Sequence, residues 1–350
     1  MTANEINVLK KQLQNLFTDN LITIIGSGLS CAEGLPGMDA LAVELCAKVP
    51  ALISATDLPV WSAIETHLTN GDGLELALHK AAANDAIEDA IIAISADFVL
   101  SKELVAIEEC LNAGRKFKLS YLLPHLSAAN PKVASIITTN YDRLIEFAAE
   151  QGGWGVDTMM VGRYWGSHNP DVSDKSFVQG ITHGSKSPRL LYRKRVRLFK
   201  PHGSLDWYST SNGVVASVLP LTTQRVIITP GVGKYRKGYQ QPFDAHREQG
   251  NAVVDRASAI LCVGYGFNDE HLQTHLLARL TAGVKGLLLT MSLSDSSKTA
   301  LQQSANMVAL SCSDDIAAPG TIVTTCTGTA LIPNINWWDV EGFVKGVLSV

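Results

Sequence analysis

At 350 residues, with 46% hydrophobic and 18% charged side chains, the chain is long enough for one large domain with an insertion or for two domains sharing a cleft. Its longest apolar runs, such as Ala90 to Ile94 and Leu287 to Leu289, are far too short to cross a membrane, and the first residues lack the pattern of a secretory leader, so a cytoplasmic protein is expected. A formal net charge of -4 gives no electrostatic reason to expect direct nucleic-acid binding, and six cysteines without a Cys-x-x-Cys pair argue against a zinc ribbon or a disulfide framework.

The first element is a helix over residues 4 to 18, where Ile6, Leu9, Leu13, Leu16 and Phe17 recur at helical spacing. It leads into Leu21 to Ile25, a β-branched run that reads as a buried parallel strand, and then into the glycine-rich turn Gly26-Ser27-Gly28-Leu29-Ser30. Residues 40 to 126 are rich in Ala, Leu and Glu with a 3.6-residue period, broken at Val49-Pro50, Asn70 to Gly73 and Ala113-Gly114, and form a helical block. Strand character returns at Val133 to Thr139, with a helix expected from Tyr141 to Glu150.

Residues 152 to 206 read as a small irregular lobe holding one strand near Arg197 to Phe199. Within it, the basic run Arg189 to Lys200 reads more simply as a strand or ribbon with a solvated basic face than as a phosphate-reading patch. Three further buried strands are expected at Val226 to Thr229, Ala259 to Val263 and Gly286 to Thr290, with helices at Asp269 to Leu280, Ser294 to Ala305 and Ile335 to Leu348. Repeated strand, turn and helix units define an α/β fold: a Rossmann-like, doubly wound parallel sheet with a helical insertion, all within one domain over residues 1–350.

Three polar segments fall where strands end, which is where open α/β sheets bind ligands. Thr138-Thr139-Asn140-Tyr141-Asp142 supplies an amide and a carboxylate, Lys200-Pro201-His202-Gly203-Ser204 an imidazole, and Gly264-Tyr265-Gly266-Phe267-Asn268-Asp269 a second glycine turn entering a helix. Gly26-Ser27-Gly28 is also suited to bring backbone N–H groups close to a pyrophosphate, since glycine has no Cβ to block the approach. Asn140 and Asp269 each suit a plainer duty as well, capping the helix that follows. The remaining histidines, among them His67, His79, His125, His183 and the pair His271 and His275, lack comparable context.

Taken in order, these segments resemble the sirtuin family, and especially its bacterial sirtuin-like branch. The resemblance rests on Gly26 to Ser30 followed by Gly34-Leu35-Pro36, on Thr138 to Asp142, on His202-Gly203 and on Gly264 to Asp269, covering roughly residues 20 to 295. It departs from the zinc-bearing members, whose two Cys-x-x-Cys pairs are missing, so no metal is expected. Deacetylating members continue the Gly-x-Pro element with Asp-Phe-Arg, whereas Gly37-Met38-Asp39 follows Pro36 here.

The resemblance therefore implies NAD as substrate and hydrolysis to nicotinamide and ADP-ribose, as in antiviral sirtuin-like effectors. It also implies a regulatory partner such as a HerA-like ATPase or an Argonaute, and the apolar helical block between Ala40 and Leu126 offers a surface for a homo-oligomer. Protein deacylation and non-catalytic binding of NAD or ADP-ribose are the alternatives. Cleaving the N-glycosidic bond develops oxocarbenium character at the ribose and needs a positioned nucleophile. Asn140 is assigned to holding water or ribose, and His202 to accepting a proton, because imidazole titrates near neutrality. Asp142 is expected to orient its neighbours. Gly26, Ser27, Gly28, Ser30, Thr139, Gly264, Tyr265 and Gly266 are expected around the dinucleotide, with Asn268 and Asp269 toward the second ribose or the adenine.

Overall fold

The computed structural model describes residues 1–127, 133–183, 188–229, 241–315 and 317–349. The N-terminal helix α1 (Ala3–Gln14) starts with a capping box in which Thr2 and Glu5 bond each other's backbone. It precedes β1 (Leu21–Ile25) and the single turn α2 (Ser27–Cys31). The helical block follows as α3 (Met38–Lys48), α4 (Leu58–Thr69), α5 (Leu74–Lys80), the long α6 (Asp85–Asn112) and α7 (Lys118–Leu122). Interruptions fall at Pro50, Asn70 to Gly73 and Ala113-Gly114, where proline, glycine and turn residues break the helical period, and also at Ala81 to Asn84, where Asn84 caps α6.

Then come β2 (Val133–Thr138), α8 (Leu144–Gln151), β3 (Gly155–Asp157), β4 (Met160–Val161), β5 (Gly166–His168), α9 (Pro170–Ser176), β6 (Val178–His183), β7 (Pro188–Tyr192), β8 (Arg195–Phe199), β9 (Gly203–Thr210), β10 (Gly213–Ala216) and β11 (Arg225–Ile227). The C-terminal part holds α10 (Phe243–Asp255), β12 (Ala259–Val263), α11 (Glu270–Thr281), β13 (Lys285–Thr290), α12 (Asp295–Gln303), β14 (Met307–Cys312), β15 (Gly320–Thr325), β16 (Gly328–Pro333) and α13 (Val340–Phe343), which continues as a π-helical turn to Leu348.

Nine strands form the main sheet in the order β16-β15-β14-β13-β12-β1-β2-β8-β3. The seven from β14 to β3 run parallel, and β15 and β16 add an antiparallel edge. Period-two alternation sends side chains of each central strand into two separate cores. Leu21 and Ile25 of β1, Ile136 of β2 and Leu261 of β12 join α1, α7, α8 and the C-terminal helix on one face. Ile22 and Ile24, Ile137 and Ile260 join α10, α11 and α12 on the other. Helices therefore cover both faces, as a doubly wound sheet requires, and each buried Leu or Ile contributes about 1.5–3 kcal/mol by leaving water. The helical block carries a core of its own around Leu45, Trp61, Ile64, Ile87 and Ile91.

Two expectations need correction. The stretch 152–206 is strand-rich rather than irregular: β3 and β8 extend the main sheet, while β4, β5 and β9 join β10 and β11 in a second, five-stranded sheet and β6 and β7 pair as a ribbon. Val226 to Thr229 is not a strand of the parallel sheet, because β11 pairs antiparallel with β9. The basic run also divides. Arg189, Arg193 and Lys194 are exposed, whereas Arg195 and Lys200 are buried and ion-paired, Arg195 with Asp157 (3.3 Å) and Asp174 (2.5 Å) and Lys200 with Glu146 (2.8 Å). The basic, aromatic run Tyr235-Arg236-Lys237, with Tyr239, lies outside the described residues.

Candidate functional site

The chain leaves β1 on one side toward β2 and β8, and returns on the other side at β12. The C-terminal ends of these strands diverge there and open a crevice, the usual ligand position of an open α/β sheet. Two glycine turns meet at its base. Gly26 N–H donates to Val263 O (3.0 Å) and Gly28 N–H to Gly264 O (3.0 Å), while Gly264 N–H donates to Leu289 O (2.8 Å). A Cβ on Gly26 would stand 2.6 Å from Tyr265 Cα, and one on Gly28 2.7 Å from Gly264 Cα. Gly264 itself has φ +57, and its Cβ would meet Leu29 N at 2.5 Å. Close approach of the two turns to each other is thus what requires glycine at 26, 28 and 264. The expectation that these glycines make room for a pyrophosphate has to yield at Gly28 and Gly264, which are sealed into this backbone contact.

Asn140 follows β2 and turns its side chain toward the first glycine turn. Its Nδ2 donates to Gly26 O (3.0 Å) and to Ser30 Oγ (2.9 Å), and Ser30 in turn donates to Asp142 Oδ2 (2.7 Å). Both amide hydrogens are committed, so Oδ1 is the atom of Asn140 left for an outside donor, having no hydrogen bond among the described residues. Asn140 does not cap α8. That helix begins at Leu144, whose N–H is taken by Asp142 Oδ1 (3.1 Å). Burial raises the Asp142 carboxyl above its ordinary range, opposed by the Lys200 charge and the Ser30 hydrogen bond.

The loop that bears Asn140 is anchored from several directions. Lys200 Nζ donates to Asp142 O (2.6 Å), Ser204 Oγ (3.0 Å) and Glu146 Oε1 (2.8 Å). Tyr141 OH donates to Ile228 O (2.6 Å), and Ile228 N–H donates to His202 O (2.9 Å), which ties this loop to the imidazole segment. From the helical block, fully buried Glu103 of α6 receives the Arg143 backbone N–H and guanidinium, with Nη2 at 2.5 Å.

His202 lies beyond β8. Its Nε2 is 2.8 Å from Asp269 Oδ2, and both side chains are largely buried. The other carboxylate oxygen, Oδ1, accepts from Leu272 N–H (3.1 Å) at the start of α11. Asp269 therefore performs the capping duty and also holds His202. With a proton on Nε2 directed to the carboxylate, the tautomer of the neutral imidazole that fits this contact has its lone pair on Nδ1.

These groups line one cleft of about 550 Å³. Gly26, Ser27, Ser30, Thr139, Asn140, Asp142, His202, Tyr265, Gly266, Asn268 and Asp269 form its polar side, and Gly28 and Gly264 are not on its wall. Tyr265 borders the cleft but turns its ring into the apolar core, against Phe267, and its hydroxyl is buried. Another wall comes from Leu35 in the loop before α3 and from α3, α5 and α6, with Met38, Leu41, Leu74, Leu76 and Val99 as its apolar residues and Glu75 among them.

That wall was not legible in the sequence, where those residues carry only helical periodicity. Lys200, Tyr141 and the Glu103–Arg143 pair were missed too. The one available signal for Lys200 was a lysine at the end of an otherwise buried strand. Among the described residues no group of three or more His, Cys, Asp or Glu side chains is arranged to hold a metal, and no helix is long and apolar enough to cross a membrane. His275 pairs with Asp255 (2.8 Å).

Residues 134–307 match the family model of the SIR2-like domain, a span that contains Asn140, His202 and Asp269. No curated protein matches the chain. Solved structures similar to it include one from a study of the mechanism and regulation of Sir2 enzymes, at 10% identity over 85% of this chain and 90% of that one, with a TM-score of 0.39. Others are Sir2Tm bound to a propionylated peptide, at 15% identity over 82% of this chain and 89% of that chain with a TM-score of 0.41, and Sir2 bound to an acetylated peptide, at 11%, 82% and 89% with a TM-score of 0.38.

Proposed function

We propose that this protein is an NAD+ glycohydrolase, which cleaves the bond between nicotinamide and ribose and leaves ADP-ribose. The observation that supports this reading most is the pairing of His202 with Asp269 in the same cleft as the open Oδ1 of Asn140. The cleft volume suits a ligand of dinucleotide class.

In the reaction the C1′–N bond breaks with its electron pair leaving on nicotinamide. Water adds at C1′ and gives up a proton, so NAD+ and water yield nicotinamide, ADP-ribose and H+. Asn140 Oδ1 accepts a hydrogen bond from the attacking water or from a ribose hydroxyl and fixes its position. His202 Nδ1 takes the proton, and Asp269 orients the ring and stabilises the imidazolium that forms. Ser27, Ser30, Thr139, Gly26 and Gly266 are the wall residues assigned to the dinucleotide, with Tyr265 and Asn268 at the second glycine turn.

An activity that depletes NAD suits an antiphage defence effector of the cytoplasm, held inactive in a homo-oligomer or by a partner of the HerA-like ATPase or Argonaute type. That part of the proposal rests on the family resemblance alone. Gly37-Met38-Asp39 in place of Asp-Phe-Arg weighs for hydrolysis over protein deacylation. Nicotinamide release by purified protein, measured with and without an acetyl-lysine peptide, tests the reading. Peptide-independent release that is abolished in folded His202→Ala and Asn140→Ala is expected, and release that depends on the peptide would overturn it in favour of deacylation.

A further inference from the structure

We propose that Lys200 is a positioning residue that holds the Asn140 loop in register with His202, an inference that rests on those two residues sharing one reaction site. Its ammonium is fully buried, and its three hydrogens are matched by three acceptors: the Asp142 carbonyl (2.6 Å), Glu146 Oε1 (2.8 Å) and Ser204 Oγ (3.0 Å). The Tyr141 carbonyl is a fourth and weaker acceptor, 3.5 Å from Nζ. Lys200 has no hydrogen to spare for a substrate and acts through the backbone it holds.

That backbone is well chosen. Pro201 alone separates Lys200 from His202, and the fixed φ of proline makes this a stiff link. On the other side, Asp142 lies two residues beyond Asn140 and receives Ser30, the same hydroxyl that accepts from the Asn140 amide. The Lys200 backbone N–H is fixed as well, donating to His246 Nδ1 (3.0 Å). One side chain thus joins the end of β8 to the loop after β2, and movement of the Asp142 carbonyl would pass through Asp142 and Ser30 to Asn140.

A simpler role is charge balance with Glu146. An apolar pair of similar volume generally serves stability as well as a buried ion pair, so charge balance alone gives no reason to keep the lysine. The two roles separate in three variants: Glu146→Gln, Lys200→Met and the double variant. If Lys200 positions the loop, Glu146→Gln keeps kcat near the wild-type value, because the glutamine oxygen still accepts from Nζ. The double variant then regains the thermal stability that Lys200→Met loses, yet still releases nicotinamide about 100-fold more slowly at nearly unchanged KM. Wild-type kcat in the double variant would overturn the proposal and leave Lys200 a charge partner only.

A crystal structure of the double variant decides the matter without turnover. Loss of the Asn140 Nδ2 contacts to Gly26 O and Ser30 Oγ is expected, and their retention overturns the inference even if the wild-type protein proves to release no nicotinamide, a result that would overturn the hydrolase reading instead. Should neither Lys200 variant fold, Ser204→Ala removes one anchor and leaves the ion pair intact. A lower kcat at unchanged KM is then expected, and an unchanged kcat overturns the proposal.

Discussion

Asp269 Oδ2 lies 2.8 Å from His202 Nε2, although the strands that deliver them, β12 and β8, are separated in the sheet by both β1 and β2. The carboxylate reaches across the crevice while its second oxygen caps α11 through Leu272 N–H. Asp269→Asn separates these duties, since asparagine caps as well as aspartate but carries no charge to stabilise an imidazolium. Thermal stability close to wild type, with nicotinamide release slowed about 100-fold or more, is the expected outcome. Asp269→Ala adds the loss of the cap, about 1 kcal/mol in denaturant unfolding. Full activity in folded Asp269→Asn would remove the carboxylate from the mechanism.

The contact between the glycine turns predicts a stability effect. Gly264→Ala places a side chain in a left-handed conformation and drives it against Leu29 N. The first effect costs about 1–2 kcal/mol and the overpacking about 1–3 kcal/mol, both read by urea unfolding. Gly37→Ala is the control. Gly37 is on the cleft wall and caps α3, yet its Cβ would meet nothing within 4 Å and its φ is -78, so the weaker cap and the lower unfolded-state entropy of alanine oppose each other and stability changes by less than about 1 kcal/mol.

The parallel sheet could be read from sequence because β1, β12 and β13 are near-continuous β-branched and leucine runs followed by turns, the pattern of strands buried on both faces. Asn140, His202 and Asp269 could be read because each stands just beyond such a strand. The rest of the site depends on tertiary packing that no local pattern encodes. Met38, Leu74 and Leu76 became a cleft wall only through the docking of the helical block, and β3 to β5, of two or three residues each, are too short to show a period. Arg195 and Lys200 looked like part of a solvated basic face because their neutralising partners, Asp157, Asp174 and Glu146, come from other elements, while β8 is in fact covered on both faces.

Arg195 provides a test of that distinction, since it is buried and paired but stands away from the cleft. Arg195→Met leaves Asp157 buried without its cation, and removing one partner of a buried pair costs about 3–5 kcal/mol. Equilibrium unfolding is expected to show this loss, while KM for NAD stays constant at a temperature where the variant is folded. A raised KM with little change in stability would mean that the basic run serves the ligand after all.

Glu146 and His246, both packed against Lys200, predict opposite pH dependences. Burial raises the Glu146 carboxyl from 4.5 to about 7, only partly opposed by the Lys200 charge. Between these values the folded state holds a proton that the unfolded state has released, so its contribution to stability falls as pH rises from 4.5 to 7. Burial lowers His246 from 6.5 to about 3, with the His168 and Lys200 charges acting in the same direction. There the unfolded state binds the extra proton, and stability falls as pH drops below 6.5. The two slopes oppose each other between pH 4.5 and 6.5 and partly cancel in the wild-type protein. Glu146→Gln removes the first, so its Tm should fall more steeply on acidification. His246→Asn keeps an acceptor for Lys200 N–H and removes the second, so its Tm should rise as pH is lowered from 7 to 4.5. Melting curves across this range that run parallel for all three proteins would show that neither group is held away from its ordinary titration.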